Sequence, residues 1–227
     1  MVSINRLVLA LVVVAVASAV LLAELNGITA PKIKASQTAY KLKAVKKVLP
    51  PYDNQPAADR RVIPVPGGGP AEAKVEMDEE LGKEGVVVYP AYHEGKLVGE
   101  AYSVISHQGF GGDIEILLGV SPEGRVTGVE IITHAETPGL GAKIVSEASW
   151  KGKAELVGRS LSESLVVKKD GGEIDTIAGA TISPRAVCGA VKAGLEAYNQ
   201  VLKGKLPATP PAAATPTTTA AVQGAHS

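Results

Sequence analysis

One threonine in the C-terminal third of the chain follows three very small residues and precedes a predicted helix. The segment DTIAGATISPRAV (175–187) places Thr181 directly after Ala178, Gly179 and Ala180. A helix N-terminus has free backbone N–H groups and a positive dipole end, so it attracts phosphate. The small residues let a planar ring approach the backbone, and the hydroxyl supplies a nucleophilic oxygen. Two interpretations follow: a binding site for a flat, phosphorylated ligand, or a turn that caps a helix.

The residues on either side of the threonine also have predicted roles. Ser183 followed by Pro184 fits the N-cap and the first position of a helix. Asp175 lies six residues before Thr181 and could hold a metal ion or orient the loop. On the residues alone, a small turn with Ser183 as its cap is a sufficient explanation of the segment.

A second segment, THAETPGLGAKI (133–144), carries polar groups into a turn. Glu136 and Thr137 precede a proline-glycine pair that ends in Gly139, and Leu140 follows between two glycines. A lone apolar side chain flanked by glycines suits packing onto a flat ring whose heteroatoms face backbone N–H groups. The alternative is a hairpin turn whose leucine fills the core.

Other residues with reactive side chains are interpreted as structural, and no catalytic residue is assigned. The single cysteine, Cys188, excludes an intrachain disulfide and a cysteine-based cluster, and it is expected to be a buried thiol. The four histidines lack ligand spacing such as H-E-x-x-H, so no metal site is predicted. His134 has the better case for a functional role because it neighbours Glu136. Trp150 is expected in the core. The glycine-rich segment 109–112 lacks the phosphate-loop spacing and is expected to form a bend between strands.

Composition excludes one class of partner. Lys plus Arg and Asp plus Glu both total 23 in 227 residues, so the formal net charge is zero. No basic stripe with interleaved aromatic residues is present to bind a nucleic-acid backbone. We therefore predict no nucleic-acid partner.

The N-terminal run from 7 to 23 carries no charge and spans roughly 25 Å as a helix, which suits a membrane anchor. Ala17-Ser18-Ala19 also fits a signal-peptide cleavage site, but the apolar run continues past it, which favours the anchor. Either interpretation places the rest of the chain outside the cytoplasm. Six lysines between 32 and 47 indicate the opposite orientation by the positive-inside tendency.

The remaining pattern predicts an α+β fold with four parts. Short β-branched runs between 85 and 134 predict antiparallel strands, and 142–158 and 183–204 predict helices that cover them. The stretch from 49 to 77 is rich in proline and glycine, so no packed element is expected there. The predicted parts are a transmembrane anchor (1–30), a juxtamembrane stalk and linker (31–84), the strand-and-helix domain (85–205) and a disordered Ala/Pro/Thr tail (206–227).

Several segments, taken in order, resemble one family. These segments are TAPKI, GFGGDIEILLGV, GRVTGVEI, HAETPGLG and DTIAGATIS, behind an N-terminal anchor. The chain resembles the G subunit of the Rnf complex, an ion-translocating ferredoxin:NAD oxidoreductase. It is also similar to the C subunit of the sodium-pumping NADH:quinone oxidoreductase. The resemblance covers about 1–48 and 85–204, and the order and spacing of the segments carry it.

The resemblance implies a covalently bound FMN. In this family the threonine of a D-x-x-x-G-A-T-like motif forms a phosphoester with FMN, and that position here is Thr181. Asp175 matches the acidic position of the motif, and Ala178 stands where Ser or Thr is commoner. The resemblance implies that these residues bind the cofactor: Ala178, Gly179, Ala180, Thr181 and Ser183 from the attachment segment, and Glu136, Thr137, Gly139 and Leu140 against the flavin ring.

The resemblance also implies the function. The chain would be an electron-carrying subunit of a translocase, without a complete active site of its own. Its partners would be the other subunits, a flavin transferase that uses FAD, and membrane lipid. It would be a single-pass protein of the inner membrane with its flavin domain on the extracytoplasmic side. The alternatives are the quinone-reductase counterpart and a membrane-anchored, non-redox binding module.

Overall fold

The computed structural model describes residues 4–65, 73–78 and 81–210. It begins with a single long helix, α1 (Ile4–Val48), which continues through Pro31 and joins the predicted anchor to the predicted stalk. Among the described residues, α1 is the one helix long and apolar enough to cross a membrane, and its most apolar 18-residue window has a mean hydropathy of 2.7. Of the side chains that the structure describes in that window, none packs inside the protein.

In the described part of the chain, six antiparallel strands form one sheet after α1. They are β1 (Arg61–Ile63), β2 (Val75–Asp78), β3 (Lys83–His93), β4 (Lys96–Ser106), β5 (Ile114–Val120) and β6 (Val126–His134). Their order is β1-β3-β4-β5-β6, and β2 also pairs with β3. The predicted α+β class and the predicted strands between 85 and 134 are confirmed, and the glycines 109–112 lie in the connection between β4 and β5.

The expectation that 49–77 holds no packed element is wrong. β1 pairs with β3 at Ile63 and Val86, and β2 pairs with the same residue of β3 from its other side. An isolated bridge from Ala73 to Val104 extends that pairing to β4. The two edges of the first half of β3 supply the hydrogen-bonding groups that these short strands need. A local sequence pattern does not reveal this pairing.

The sheet is covered on both faces. One face packs on α3 (Ile182–Ala197), whose predicted apolar positions Val187, Val191 and Leu195 are all buried. Tyr198, in a π-helical turn (Tyr198–Leu202) that continues α3, is buried on the same side. The other face packs on the last turns of α1. A strand covered on both sides buries every residue, as β5 does.

Glycines on two strands let the end of α1 approach the sheet. A Cβ on Gly128 would lie 2.5 Å from the Val48 Cα, and one on Gly119 would overlap the Val48 carbonyl. The Thr127 hydroxyl donates a hydrogen bond of 2.6 Å to that carbonyl, which has no helical partner at the helix end. The chain therefore docks its anchor helix directly on the β-sheet backbone.

Gly128→Ala is expected to destabilise this docking. The added methyl group meets backbone atoms, which cannot move as a flexible side chain can, so we expect a loss of about 1–3 kcal/mol of unfolding free energy. Gly189→Ala is the matched control, because its Cβ would lie 3.9 Å from the nearest atom and alanine favours a helix. Urea unfolding of the two variants gives the comparison, and limited proteolysis should cleave near 49–60 faster in Gly128→Ala alone. Equal stability of the two variants would contradict this account of the docking.

A buried carboxylate provides a second link between α1 and the sheet. Glu130 accepts hydrogen bonds from the Lys153 ammonium at 2.7 Å, the Lys47 ammonium at 2.9 Å and the Tyr40 hydroxyl at 3.1 Å. Burial opposes its ionisation, but the two ammonium groups hold the pKa of Glu130 below its ordinary value. Lys47 and Tyr40 belong to α1, so this charged cluster fixes the helix to β6.

The predicted helix over 142–158 is wrong in extent. The segment forms a 3₁₀ helix (Gly141–Val145) and a short helix, α2 (Gly152–Leu156), separated by a turn. Trp150 lies in this turn, buried as predicted, and its indole N–H donates a 2.7 Å hydrogen bond to the Asp175 carbonyl. The interruption between the two helices places the Trp150 indole in the core, beside the Asp175 carbonyl.

The first residues of the predicted tail pack on the domain. Leu206 is buried, the Tyr92 hydroxyl donates to the Pro207 carbonyl at 2.9 Å, and the Leu97 amide donates to the Ala208 carbonyl at 3.0 Å. The chain therefore remains ordered a few residues beyond the predicted boundary. The rest of the predicted tail, 211–227, lies outside the described residues.

One carboxyl group is buried without compensation. Glu100 is 2% exposed, and its Oε2 has no hydrogen-bond partner among the described residues. Burial raises the pKa of Glu100 from 4.5 to about 8, because the charged form loses its hydration. Between those pH values the folded state retains a proton that the unfolded state releases, so stability falls as pH rises.

Glu100→Gln is expected to remove this pH dependence. In the unmodified protein the free energy of unfolding should fall by up to about 1.4 kcal/mol per pH unit above the ordinary pKa and level off above about pH 8. Denaturant unfolding of both detergent-solubilised proteins from pH 5 to 9 measures the difference. Parallel curves for the two proteins would show that Glu100 is not a buried neutral acid.

Candidate functional site

Thr181 lies in a cleft of about 390 Å³ between the start of α3, the turn after β6 and the loop after β4. This volume falls within the usual range of small-molecule sites, roughly 300–1,000 Å³. The cleft is lined by Phe110, Glu136, Thr137, Leu140, Gly141, Lys169, Gly179, Ala180, Thr181, Ile182, Ser183 and Arg185.

The cleft joins the two segments that sequence reasoning selected. From the attachment segment it contains Gly179, Ala180, Thr181 and Ser183, and from the turn after β6 it contains Glu136, Thr137 and Leu140. Ala178 and Gly139 are not among the lining residues. Gly139 has a φ of +75°, so it shapes the turn that presents Leu140.

The Thr181 hydroxyl is not used to cap the helix. Thr181 occupies the N-cap position of α3, and its carbonyl accepts the Arg185 amide at 3.2 Å, but its side chain makes no capping hydrogen bond. Its Oγ1 instead accepts a hydrogen bond of 3.3 Å from the Lys169 ammonium. A reactive oxygen therefore lies at a helix N-terminus, beside a cation and open to the cleft.

The predicted N-cap at Ser183 is wrong. α3 begins at Ile182, so Ser183 and Pro184 are its second and third residues. Pro184 is tolerated there because the N–H groups of the first turn have no helical partner. The Ser183 hydroxyl donates a 2.6 Å hydrogen bond to Glu136 Oε2, which diverts it from capping.

Glu136 connects three parts of the site. It is only 4% exposed, and its two oxygens accept from the Ser183 hydroxyl and, at 3.2 Å, from the Gly111 amide. Its own amide donates to His134 Nδ1 at 3.2 Å, which gives that histidine a structural role at the end of β6. Glu136 thus holds the loop between β4 and β5 (107–113, the glycine loop) and the start of α3 against the sheet.

The floor of the cleft must be made of very small residues. A Cβ on Gly141 would overlap Glu136 and lie 2.6 Å from the Ser183 Oγ. Gly179 has a φ of +79°, a conformation that favours glycine. Gly141 therefore lets Glu136 and Ser183 pack against its backbone, and Gly179 forms the turn before Thr181.

Exposed apolar side chains surround the mouth of the cleft. Leu140 is 45% exposed, Ile182 is 41% exposed and Phe110 is 68% exposed. The interpretation of Leu140 as a core-filling residue is therefore wrong. Apolar side chains around a cleft with polar groups at its base suit a planar, largely apolar ring.

Asp175 lies outside the cleft and orients the loop. Its carboxylate pairs with the Lys168 ammonium, which holds the pKa of Asp175 below its ordinary value. Its amide donates to Glu155 Oε2 at 2.6 Å, and its carbonyl accepts from the Trp150 indole. In the described part of the chain, no group of three or more His, Cys, Asp or Glu side chains could hold a metal ion.

Sequence reasoning missed five lining residues, Phe110, Gly141, Lys169, Ile182 and Arg185. Gly141 and Ile182 directly adjoin predicted site residues in the chain. Phe110 lies in the glycine loop, where the sequence gives no sign that it differs from an ordinary loop residue. Lys169 belongs to a 3₁₀ turn (Lys168–Asp170), and its contact with Thr181 arises from tertiary packing that the sequence does not reveal. Arg185 follows the motif, but its position says nothing about the cleft until the helix start is known.

Cys188 is a buried thiol, as predicted. It is 2% exposed, and burial raises its pKa to about 12. A thiol with so little thiolate is a poor nucleophile and a poor metal ligand. Cys188 therefore lies on the buried face of α3 in the hydrophobic core and is not part of the site.

Comparisons with known proteins identify the domain. A family model described as "FMN-binding domain" matches residues 109–196, a range that contains every lining residue of the cleft. The class is therefore a protein with an FMN-binding domain on a candidate membrane-spanning helix. Among solved structures, the crystal structure of NqrC from Shewanella oneidensis is 22% identical, with a TM-score of 0.42 over 57% of this chain and 67% of that one.

Curated relatives identify the family. The G subunit of the ion-translocating oxidoreductase complex of Stutzerimonas stutzeri is 39% identical over 202 residues, 86% of this chain and 80% of that protein. The G subunit of the same complex from Shewanella baltica (strain OS223) is 32% identical over 186 residues, 79% of this chain and 82% of that protein. The chain belongs to the family of G subunits of ion-translocating oxidoreductase complexes, and it is a membrane protein of such a complex.

Proposed function

We propose that this chain carries electrons within a membrane-bound, Rnf-type ion-translocating oxidoreductase through FMN esterified to Thr181 Oγ1. The observation that carries the proposal is the position of that oxygen. It is free of capping, at a helix N-terminus, in the cleft of an FMN-binding domain.

The residues present fit this cofactor. Gly179 carries no side chain beside the cleft, and the exposed side chains of Leu140, Ile182 and Phe110 offer apolar surface for the flavin ring. The N–H groups at the start of α3 favour a phosphoryl group. Bound FMN would supply transfer of one or two electrons, while the protein supplies position, burial and hydrogen bonds.

Attachment needs a nucleophile and a donor. With FAD as the donor and a separate flavin transferase as the catalyst, Thr181 Oγ1 forms a bond to the flavin-side phosphorus. The P–O bond to the bridging pyrophosphate oxygen breaks, AMP leaves, and the hydroxyl proton is released. This reaction involves no oxidation or reduction. The half-buried Thr181 side chain reaches the cleft, so the transferase can approach it from the open mouth.

The lysines after the span bear on the orientation. Lys47 pairs with Glu130 at 2.9 Å, and Lys41 lies 4.0 Å from Glu115, so both contact the sheet. Two of the six lysines therefore have a docking role, which explains the presence of those two without a cytoplasmic location. The proposal places the flavin domain on the extracytoplasmic side of the inner membrane, with the exposed apolar part of α1 in contact with lipid.

A cysteine-labelling experiment tests the orientation. Thr209→Cys introduces an exposed thiol, and the buried Cys188 contributes no background. A membrane-impermeant maleimide should label this variant in cells whose inner membrane is intact. Labelling that occurs only after cell lysis would place the domain in the cytoplasm.

In-gel fluorescence tests the function more broadly. The chain is expressed with and without a flavin transferase. One sample is denatured and examined in a gel for flavin fluorescence, and the complex is affinity-purified from a second, native sample. A fluorescent band that depends on the transferase and co-purifies with redox subunits supports the proposal. A colourless band, or a protein that purifies alone, supports a membrane-anchored binding module instead.

A further inference from the structure

The 3₁₀ turn Lys168–Asp170 contacts the attachment segment through three consecutive side chains. The first residue pairs with Asp175, and the second donates to Thr181 Oγ1 at 3.3 Å. The third forms two hydrogen bonds with Arg185, of 2.6 and 2.7 Å. The two ion pairs therefore fix the turn on both sides of Thr181, and the residue between them faces the hydroxyl.

The central residue of this turn differs from its neighbours in electrostatic terms. Lys168 forms an ion pair with the Asp175 carboxylate, and Arg185 forms one with the carboxylate of the third turn residue, so their positive charges are offset. Lys169 bonds to a neutral hydroxyl and lines the cleft. In the described structure, Lys169 therefore brings a positive charge to the cleft at the Thr181 oxygen.

We propose that Lys169 is a positioning residue that binds the flavin nucleotide's phosphoryl group at Thr181. This inference rests on the proposed function, because it concerns the same ester. Lysine binds phosphate as a flexible point charge. A phosphoryl group bonded to Oγ1 carries its charged oxygens two bonds from that atom, within reach of an ammonium group that already touches it.

The helix N-terminus alone does not replace this charge. Its N–H groups carry only a partial positive charge, about half an elementary charge. The donor pyrophosphate and the finished ester are both anions, and they meet Thr181 at an exposed site. An ammonium group there attracts the donor, orients the phosphorus toward Oγ1, and holds the ester after AMP leaves.

Labelling kinetics of the full-length protein in detergent test the proposal. Purified flavin transferase, Mg²⁺ and FAD are added to colourless protein, and covalent fluorescence is followed with time at low and high salt. The variants are Lys169→Ala, Lys169→Gln and Lys169→Arg. Lys143→Ala is the matched control, because Lys143 is exposed near the cleft but does not line it.

We expect the initial labelling rate of Lys169→Ala and Lys169→Gln to fall at least about tenfold relative to Lys143→Ala at low salt. Lys169→Arg should recover most of the rate, since it restores the charge. The difference between Lys169→Ala and the control should shrink at high salt, because ions screen an exposed charge. A purely structural role would change the unfolding temperature without producing this salt dependence.

Two failures are distinguishable. Equal labelling rates of Lys169→Ala and Lys143→Ala at both salt concentrations, with the unmodified protein fully labelled, would overturn the role of Lys169 alone. Absence of covalent flavin in the unmodified protein would overturn the proposed function. A large loss of rate in Lys169→Ala that arginine does not rescue and salt does not change would also contradict the electrostatic role.

Discussion

Thr181→Ala should eliminate covalent flavin and leave the fold intact. The variant lacks the only atom to which the phosphoryl group is proposed to bond, so the expected effect on denatured-gel fluorescence is complete loss. Thr181 is half-buried, its hydroxyl makes no capping bond, and its backbone conformation suits alanine. We therefore expect a change of unfolding free energy within about 0.5 kcal/mol, as for other substitutions away from the core.

The control for this prediction is Thr181→Ser. Serine retains the hydroxyl and should retain fluorescence, although its greater rotational freedom should slow labelling. Circular dichroism and unfolding temperature confirm that both variants fold. Fluorescence of Thr181→Ala equal to that of the unmodified protein would show that a different residue holds the flavin.

Glu136→Ala should cost about 2–3 kcal/mol of stability and should also reduce labelling. Glu136 accepts from the Ser183 hydroxyl and the Gly111 amide. Its removal leaves the buried Ser183 hydroxyl without this partner, whereas Gly111 is exposed and its amide can bond to water. Each hydrogen bond to a charged group contributes about 1.5–3 kcal/mol. Because these bonds hold the start of α3 and the glycine loop, their loss also disorders the walls of the cleft. Urea unfolding and labelling rate measure the two effects.

Glu147→Ala is the matched control for this prediction, since Glu147 is exposed and does not line the cleft. Glu136→Gln retains one acceptor oxygen and should give an intermediate loss of stability. If Glu136→Ala is as stable as Glu147→Ala and labels at the same rate, then Glu136 does not organise the site.

Features coded by local periodicity were predictable from the sequence. The apolar positions of α3 repeat at helical spacing, and the residues from 85 to 134 form short β-branched runs between turn residues, so both follow from short-range patterns. β1 and β2 were not predictable, because proline and glycine dominate their surroundings and their stability comes from pairing with β3. The docking of α1 likewise depends on Gly119 and Gly128, which are far from the helix in sequence.

The site was predictable in its motifs and not in its electrostatics. Small residues before Thr181, and Leu140 between glycines, indicate space for a flat ligand without any knowledge of the fold. The contact of Lys169 with Thr181 depends on how the 3₁₀ turn packs, which no spacing in the sequence specifies. The diversion of Ser183 from capping has the same origin, because its partner Glu136 comes from another segment.

The anchor helix affects how the site can function. α1 is continuous from the apolar segment to Val48, and its end is fixed to the sheet by close packing on glycines and by the bonds of Glu130. The FMN-binding domain is thus attached to the anchor through packed contacts instead of a flexible linker. The other subunits of the complex therefore meet a site whose position relative to the anchor helix is set by this docking.

The most direct test of the central claim is the intact mass of the mature protein from a host with a flavin transferase, followed by fragmentation of the peptide that contains Thr181. The proposal predicts a mass higher than that of the polypeptide by one esterified FMN, and fragments that locate the addition at Thr181. An unmodified mass, or an FMN located on another residue, would contradict it.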